Sequence, residues 1–141
     1  MPTQLDQDID RITKAVTAPG QMFELTEVTR RGVTMPAFKN APPSVVHYFA
    51  HFCNEKKDET FLVDGDMRWT FGEVWHAASH VAHGLATRHG IEKGDRVGIA
   101  ARNSVNWIVA YMGTLMAGGC VTLLNGWWTG EELAFLRSHF A

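Results

Sequence analysis

From Arg96 to Ala101 the chain reads RVGIAA, almost continuously apolar, directly after the turn signal Gly94-Asp95. Such a run suits a parallel strand covered on both faces, because a half-solvated strand alternates polar and apolar positions. Asn103 or Ser104 can accept the free amide hydrogens that open a helix, and Gly118-Gly119 ends that helix before the β-branched stretch Cys120 to Leu124. Strand, helix and strand in this order predict a parallel βαβ unit with a right-handed crossover. Thr129 and Glu132 form a further cap signature, followed by Leu133, Leu136 and Phe140 at helical spacing with no stop signal. The expectation is that Ala141 falls inside a helix and that the sheet is incomplete, the opening of something larger.

The middle helix sharpens that expectation. Trp107, Ile108, Tyr111, Met112, Leu115 and Met116 occupy a broad arc, widened by Val105 and Val109. One face of a two-stranded sheet cannot cover it, and apolar surface on the order of several hundred Å² would stay exposed, more than monomers usually tolerate. Trp107, Ile108, Tyr111 and Met112 are therefore the expected apolar interface, filled by further chain or by a second copy.

Upstream, Val45, Val46, Phe49, Phe52 and Cys53 recur at helical spacing behind the cap candidate Ser44, predicting a helix from Val45 to Glu55. Glu59 to Asp64 reads as a strand, Gly65-Asp66 as a hairpin turn and Arg68 to Thr70 as the returning strand. Thr70 and Glu73 make a capping box for a long helix whose apolar side is Phe71, Val74, Ala78, Val81, Ala82 and Leu85, with Gly90 as its stop. Residues 1–43 are weakly patterned and punctuated by Pro19-Gly20, Arg31-Gly32, Pro36 and Pro42-Pro43, which predicts an extended arm ahead of an α/β portion at 44–141.

Length and charge narrow the function. At 141 residues and 45% hydrophobic content, the prior is one globular domain with a core of moderate size. A net charge of −2, with scattered basic residues, gives no excess field for a polyanion, so nucleic acid is not an expected partner. Cys53 and Cys120 are unclustered and flanked by apolar residues, which predicts small core thiols and a reducing cytoplasm. The acidic N-terminus lacks the pattern of a secretory signal. Residues 103–130 carry no charge and are bracketed by tryptophans, but glycines interrupt them twice and their second part is β-branched, so a stable membrane span is not expected.

Candidate chemistry is sparse. His76, His80 and His83 stand at i, i+4 and i+7, and His47 with His51 at i, i+4, spacings that can place imidazoles side by side. The first group has no carboxylate or cysteine at ligand spacing beside it and the second has no third ligand; His76, His80 and His83 fall opposite the apolar side of their helix, so solvated histidines and no metal site are expected. No G-x-x-x-x-G-K-[ST], G-x-G-x-x-G or G-x-S-x-G pattern occurs. Ligands of open α/β sheets bind beyond the carboxyl ends of parallel strands. That rule singles out Arg102 and Asn103 after the first strand, and Asn125, Trp127 and Trp128 after the second. The tryptophans can line an apolar acyl pocket or pack against further chain.

The segment from Thr70 to Leu133 resembles the N-terminal part of AMP-forming acyl-CoA synthetases, in the adenylate-forming ligase superfamily. WTFGEV is similar to the family's strand and capping box, GIEKGDRV to its turn into the first strand, and MAGGCVTLLN to its helix stop and second strand. FKNAPPSVVHYF resembles the entry segment of long- and medium-chain fatty acid ligases, so the likeness runs from about Phe38 to Ala141. It departs at Gly126, where the family commonly has proline, and at Trp127-Trp128, where it has smaller or polar residues. The resemblance implies a longer parent that converts a fatty or other carboxylic acid with ATP, magnesium and coenzyme A, through an acyl adenylate, to acyl-CoA, AMP and pyrophosphate. It also implies that the family's phosphate loop and lysines lie outside this chain. No catalytic or cofactor-binding residue transfers to it, and the chain alone is expected to be inactive. The alternative expectation is a noncatalytic dimerising or partner-binding module.

Overall fold

The computed structural model describes residues 2–137, which fall into two compact units divided between Pro43 and Ser44. The first unit corrects the expected extended arm. Helix α1 (Gln4–Val16) opens on a capping box in which the Thr3 side chain accepts from the Asp6 amide and the Asp6 carboxylate accepts from the Thr3 amide. Strands β1 (Leu25–Arg30) and β2 (Val33–Phe38) pair antiparallel, with Pro36 opposite Glu27. The two residues between them, Arg31 and Gly32, have φ of 52° and 80°. Positive φ at both central residues matches the right-handed twist of a tight hairpin. Phe23 lies across Phe38, and the Lys39 ammonium bonds the Glu24 carboxylate at 2.7 Å.

The second unit follows the apolar pattern closely. Helix α2 (Val45–Glu55) is capped by Ser44, and the hairpin β3 (Thr60–Asp64) and β4 (Met67–Thr70) feeds α3 (Phe71–Arg88) through the Thr70–Glu73 capping box. Strand β5 (Arg96–Ala101), helix α4 (Val105–Met116) and strand β6 (Cys120–Asn125) form the parallel βαβ unit, and α5 (Gly130–Arg137) follows. Ser104 is the α4 cap, and the Asp64 carboxylate, far away in sequence, accepts the Val105 amide at 3.2 Å. At the other end, Gly118 has φ of 88°, its amide bonds the Leu115 carbonyl, and the Gly119 amide bonds the Thr114 carbonyl. This pair of reversed bonds satisfies the last carbonyls of the helix and requires a residue free to adopt the left-handed region. Phe140, expected on the last helix, lies outside the described residues.

Tertiary packing departs from the expectation in two ways. The core is formed by Cys53 of α2, Val74 and Ala78 of α3, and Val105, Val109 and Met112 of α4, with Phe61, Leu62 and Trp69 of the hairpin against it. The broad apolar arc of α4 is therefore covered chiefly by α3, with α2, the β5–β6 sheet and the hairpin covering the rest. A second difference is that, among the described residues, the β5–β6 sheet is covered on one face only. Ile99 is 6% exposed, whereas its neighbours Gly98 and Ala100 are exposed, and α4 is the element that packs on this sheet among the described residues. Cys120, expected in the core, shares the open face and is exposed, while Cys53 is buried. Burial pushes the Cys53 thiol pKa up, because the thiolate would lose its hydration.

Close approach of α3 and α4 depends on Gly113. A β-carbon there would stand 2.7 Å from Val81 Cβ and 2.9 Å from the Ala78 carbonyl oxygen. Small residues at such a crossing let the helix axes come together and give Met112 full cover.

Candidate functional site

Parallel pairing sets Ala101 level with Asn125, so both strands end together and their following loops meet. Asn125 then turns the chain: its side-chain Oδ1 accepts the Trp127 amide at 3.0 Å, and its carbonyl accepts the Trp128 amide at 3.1 Å. Asparagine suits this position because its short side chain can bond to backbone two residues on. Gly126 lies against the end of β5, where an added β-carbon would meet the Ala101 carbonyl carbon and oxygen at 2.7 Å. The glycine that departs from the family pattern therefore has a steric role here, drawing the loop tight onto β5.

The turn brings Trp127 back to Arg102, whose guanidinium carbon sits 3.8 Å from the ring centroid. The contact is a cation–π pair at an exposed position, worth about 0.5–1 kcal/mol. Together with Asn103, Trp107, Leu123 and Asn125 they line an open cavity of about 490 Å³. Its lining combines the apolar side chains of Trp107, Leu123 and Trp127 with one guanidinium and two carboxamides. Of the predicted strand-end residues, Arg102, Asn103, Asn125 and Trp127 thus converge. Trp128 does not; it lines a separate, more open hollow with Glu131, Glu132, Phe135 and Leu136 of α5. That helix starts on a capping box, Thr129 with Glu132.

The predicted apolar interface divides similarly. Met112 is fully buried at 0% exposure, so it is a core residue. Trp107 and Tyr111 stack with rings 5.6 Å apart and 7° from parallel, Tyr111 meets the edge of Phe49, and Ile108 is half-buried against the core. Trp107 also lines the strand-end cavity, a link between helix and site that sequence spacing alone did not display.

His76, His80 and His83 are all exposed, opposite Val74 and Ala78. Among the described residues, no three histidine, cysteine or carboxylate side chains are grouped as metal ligands, and no helix is long and apolar enough to cross a membrane. The stretch 103–130 is instead helix, glycine stop and strand.

Comparison with known proteins gives this architecture its family. The model of the AMP-binding enzyme family matches residues 49–140. The chain belongs to that family. A medium/long-chain-fatty-acid–CoA ligase of Mycobacterium tuberculosis is 31% identical over 124 residues, 87% of this chain and 21% of that protein. An acyl-CoA ligase of Ajellomyces capsulatus is 34% identical over 74 residues, 52% of this chain and 12% of its own length. Among solved structures, the N-terminal subdomain of NpsA from Klebsiella oxytoca superposes with a TM-score of 0.62 at 19% identity, covering 68% of this chain and 25% of that one. A benzoate CoA ligase from Burkholderia xenovorans gives 0.62 at 23%, covering 67% and 19%. These structures show the fold alone: a mixed α/β unit with small incomplete sheets. The chain spans between about an eighth and a fifth of the length of these two curated relatives.

Proposed function

We propose that this chain is the scaffold portion of an ATP-dependent acyl-CoA ligase acting on a fatty acid, and that the strand-end cavity forms one wall of its acid-binding region. The observation that carries the reading is the family match over residues 49–140, on which the cavity lies. The relative matching most of the chain is named for medium- and long-chain fatty acids, which supports the acyl class. In the cavity, Trp107, Leu123 and Trp127 offer apolar surface, and Arg102 is the ionised group that can meet a carboxylate.

The lining does not fit a magnesium-bound triphosphate. It holds no carboxylate for a hard cation and no lysine, and its one guanidinium is stacked on Trp127. ATP, magnesium and coenzyme A are therefore assigned to the parent ligase, in the cytoplasm, and no chemical step is routed through this segment. The open face of the β5–β6 sheet and its outer edges, unpaired among the described residues, support the rest of a ligase chain as its partner, with a second copy as the competing one.

A chimera tests the proposal. Replacing the matched segment of the Mycobacterium tuberculosis relative with residues 44–141 should preserve acid-dependent pyrophosphate release, and Trp127→Ala within it should raise KM for the acid several-fold while sparing KM for ATP. The 141-residue chain by itself, given ATP, magnesium, coenzyme A and a fatty acid panel, should release none. Acid-dependent turnover by that chain alone would overturn the scaffold assignment.

A further inference from the structure

The outer side of α3 carries two imidazoles in an arrangement that the ligase reading does not use. His76 and His80 stand one turn apart, with their Nε2 atoms 3.0 Å from each other and their ring centroids 4.5 Å apart. The helix beneath them is held firmly: Val74 and Ala78 on its inner side are fully buried, and the Thr70–Glu73 box fixes its first turn. Both rings are exposed, so an ion can reach them without desolvating the core.

Two nitrogens 3.0 Å apart, each at a metal–nitrogen bond length of about 2.0–2.1 Å, subtend an angle of about 91–97° at the metal. A tetrahedral site would need them about 3.3–3.4 Å apart at the same bond lengths. A near-right angle between imidazole donors is the geometry of tetragonal copper(II) or nickel(II), and copper(II) stands highest in the order of divalent affinities. We infer that His76 and His80 form a two-imidazole clamp for copper(II) on the outer face of α3. The remaining coordination positions go to water or to small external ligands. Glu73, one turn earlier, is committed elsewhere, its carboxylate accepting the Thr70 amide at 2.8 Å. Binding requires both rings to keep their proton on Nδ1, so the hydrogen bond now shared between the two Nε2 atoms is replaced by two metal bonds.

Spacing alone does not make such a clamp, and the chain contains its own control. His47 and His51 are also four residues apart on a helix, yet His47 Nδ1 is bonded to the Ser44 hydroxyl at 2.8 Å, and His51 Nε2 lies 3.2 Å from the Glu55 carboxylate. Their ring nitrogens are turned to separate partners.

The test is a copper(II) titration of the whole chain, followed by calorimetry and by the nitrogen hyperfine pattern in electron paramagnetic resonance. The expected result is one site with two equivalent imidazole nitrogens. His76→Gln and His80→Gln should each weaken it by about tenfold or more, since either change removes an intramolecular second bond. His83→Gln and the double change His47→Gln with His51→Gln should leave affinity within about twofold and the two-nitrogen signal intact, far short of the loss of a bidentate arm. Equal weakening across all these variants, a single-nitrogen signal, or zinc(II) bound more tightly than copper(II) would overturn the clamp. Circular dichroism of each variant separates loss of the site from loss of the helix.

Discussion

Residues 1–43 and residues 44–141 use the same local devices to opposite effect. Both units open a helix on a threonine capping box, at Thr3–Asp6 and Thr70–Glu73. Both turn a hairpin on a residue of positive φ, at Gly32 and Gly65. Only the second converts these devices into a core. No described residue of the first unit is buried, and Leu5, Ile9, Ile12 and Val16 of α1 are all largely exposed, whereas Val74, Ala78 and Met112 in the second unit are at 0%. Caps and turns thus suffice to specify an element, but cooperative stability comes from apolar faces that find each other.

The strongest way to break this contrast is to remove side chains from each unit in turn. Met112→Ala empties the centre of the second unit and should cost about 2–5 kcal/mol, read as a lower urea midpoint. Ile9→Ala, on the exposed face of α1, should move that midpoint by no more than about 0.5 kcal/mol. Comparable losses from the two changes would show that the first unit contributes to the same cooperative core.

A finer test concerns how α3 and α4 meet. Gly113→Ala places a methyl group 2.7 Å from Val81 Cβ and should destabilise the second unit by about 1–3 kcal/mol through overpacking. Adding Val81→Ala should recover part of that loss, a coupling measurable in a double-mutant cycle. Recovery would assign that part of the strain to Val81 Cγ1, which the change removes; no recovery would place it on the Val81 Cβ that alanine keeps and on the Ala78 carbonyl.

The smallest effect belongs to the first unit and depends on pH. Hydrogen bonding to Lys39, then to the Gly20 amide, holds the Glu24 carboxyl below the ordinary glutamate range. A carboxyl whose folded pKa is lowered stabilises above its unfolded value, and that stabilisation is lost as pH falls through the folded one. Amide protection factors within β1 and β2, exchange rates taken relative to the intrinsic rate at each pH, should therefore fall below about pH 4, near the unfolded glutamate value, before the second unit responds. Glu24→Gln should remove most of that acid sensitivity, and an unchanged exchange profile would show that the Lys39 pairing does not hold the hairpin.

The second unit was legible in the sequence because each of its signals acts over a few residues. Ser44 and Thr70 cap where their hydroxyls predict, Gly118 ends α4, and RVGIAA forms a strand with the expected bounds. The first unit was missed although its signals are of the same kind. Its box carries aspartate in place of glutamate, and its hairpin contains Pro36 on an edge strand, a residue that usually argues against a strand. Of the strand-end residues, four of five converge, because the βαβ register brings both carboxyl ends level; Trp128 leaves with α5 because Asn125 reverses the chain just before it.

Sequence by itself determined the βαβ order and the caps and stops, since these rest on periodicity and on hydrogen bonds between near neighbours; the family was legible only as a resemblance, carried by segments such as GIEKGDRV and MAGGCVTLLN. Tertiary structure alone decided that α3 supplies most of the cover on α4, that Cys120 faces outward, that Trp127 folds back onto Arg102, and that one histidine pair converges while the other diverges. Those outcomes depend on which surfaces meet and how closely, and a small side chain such as that of Gly113 sets the distance at which they do.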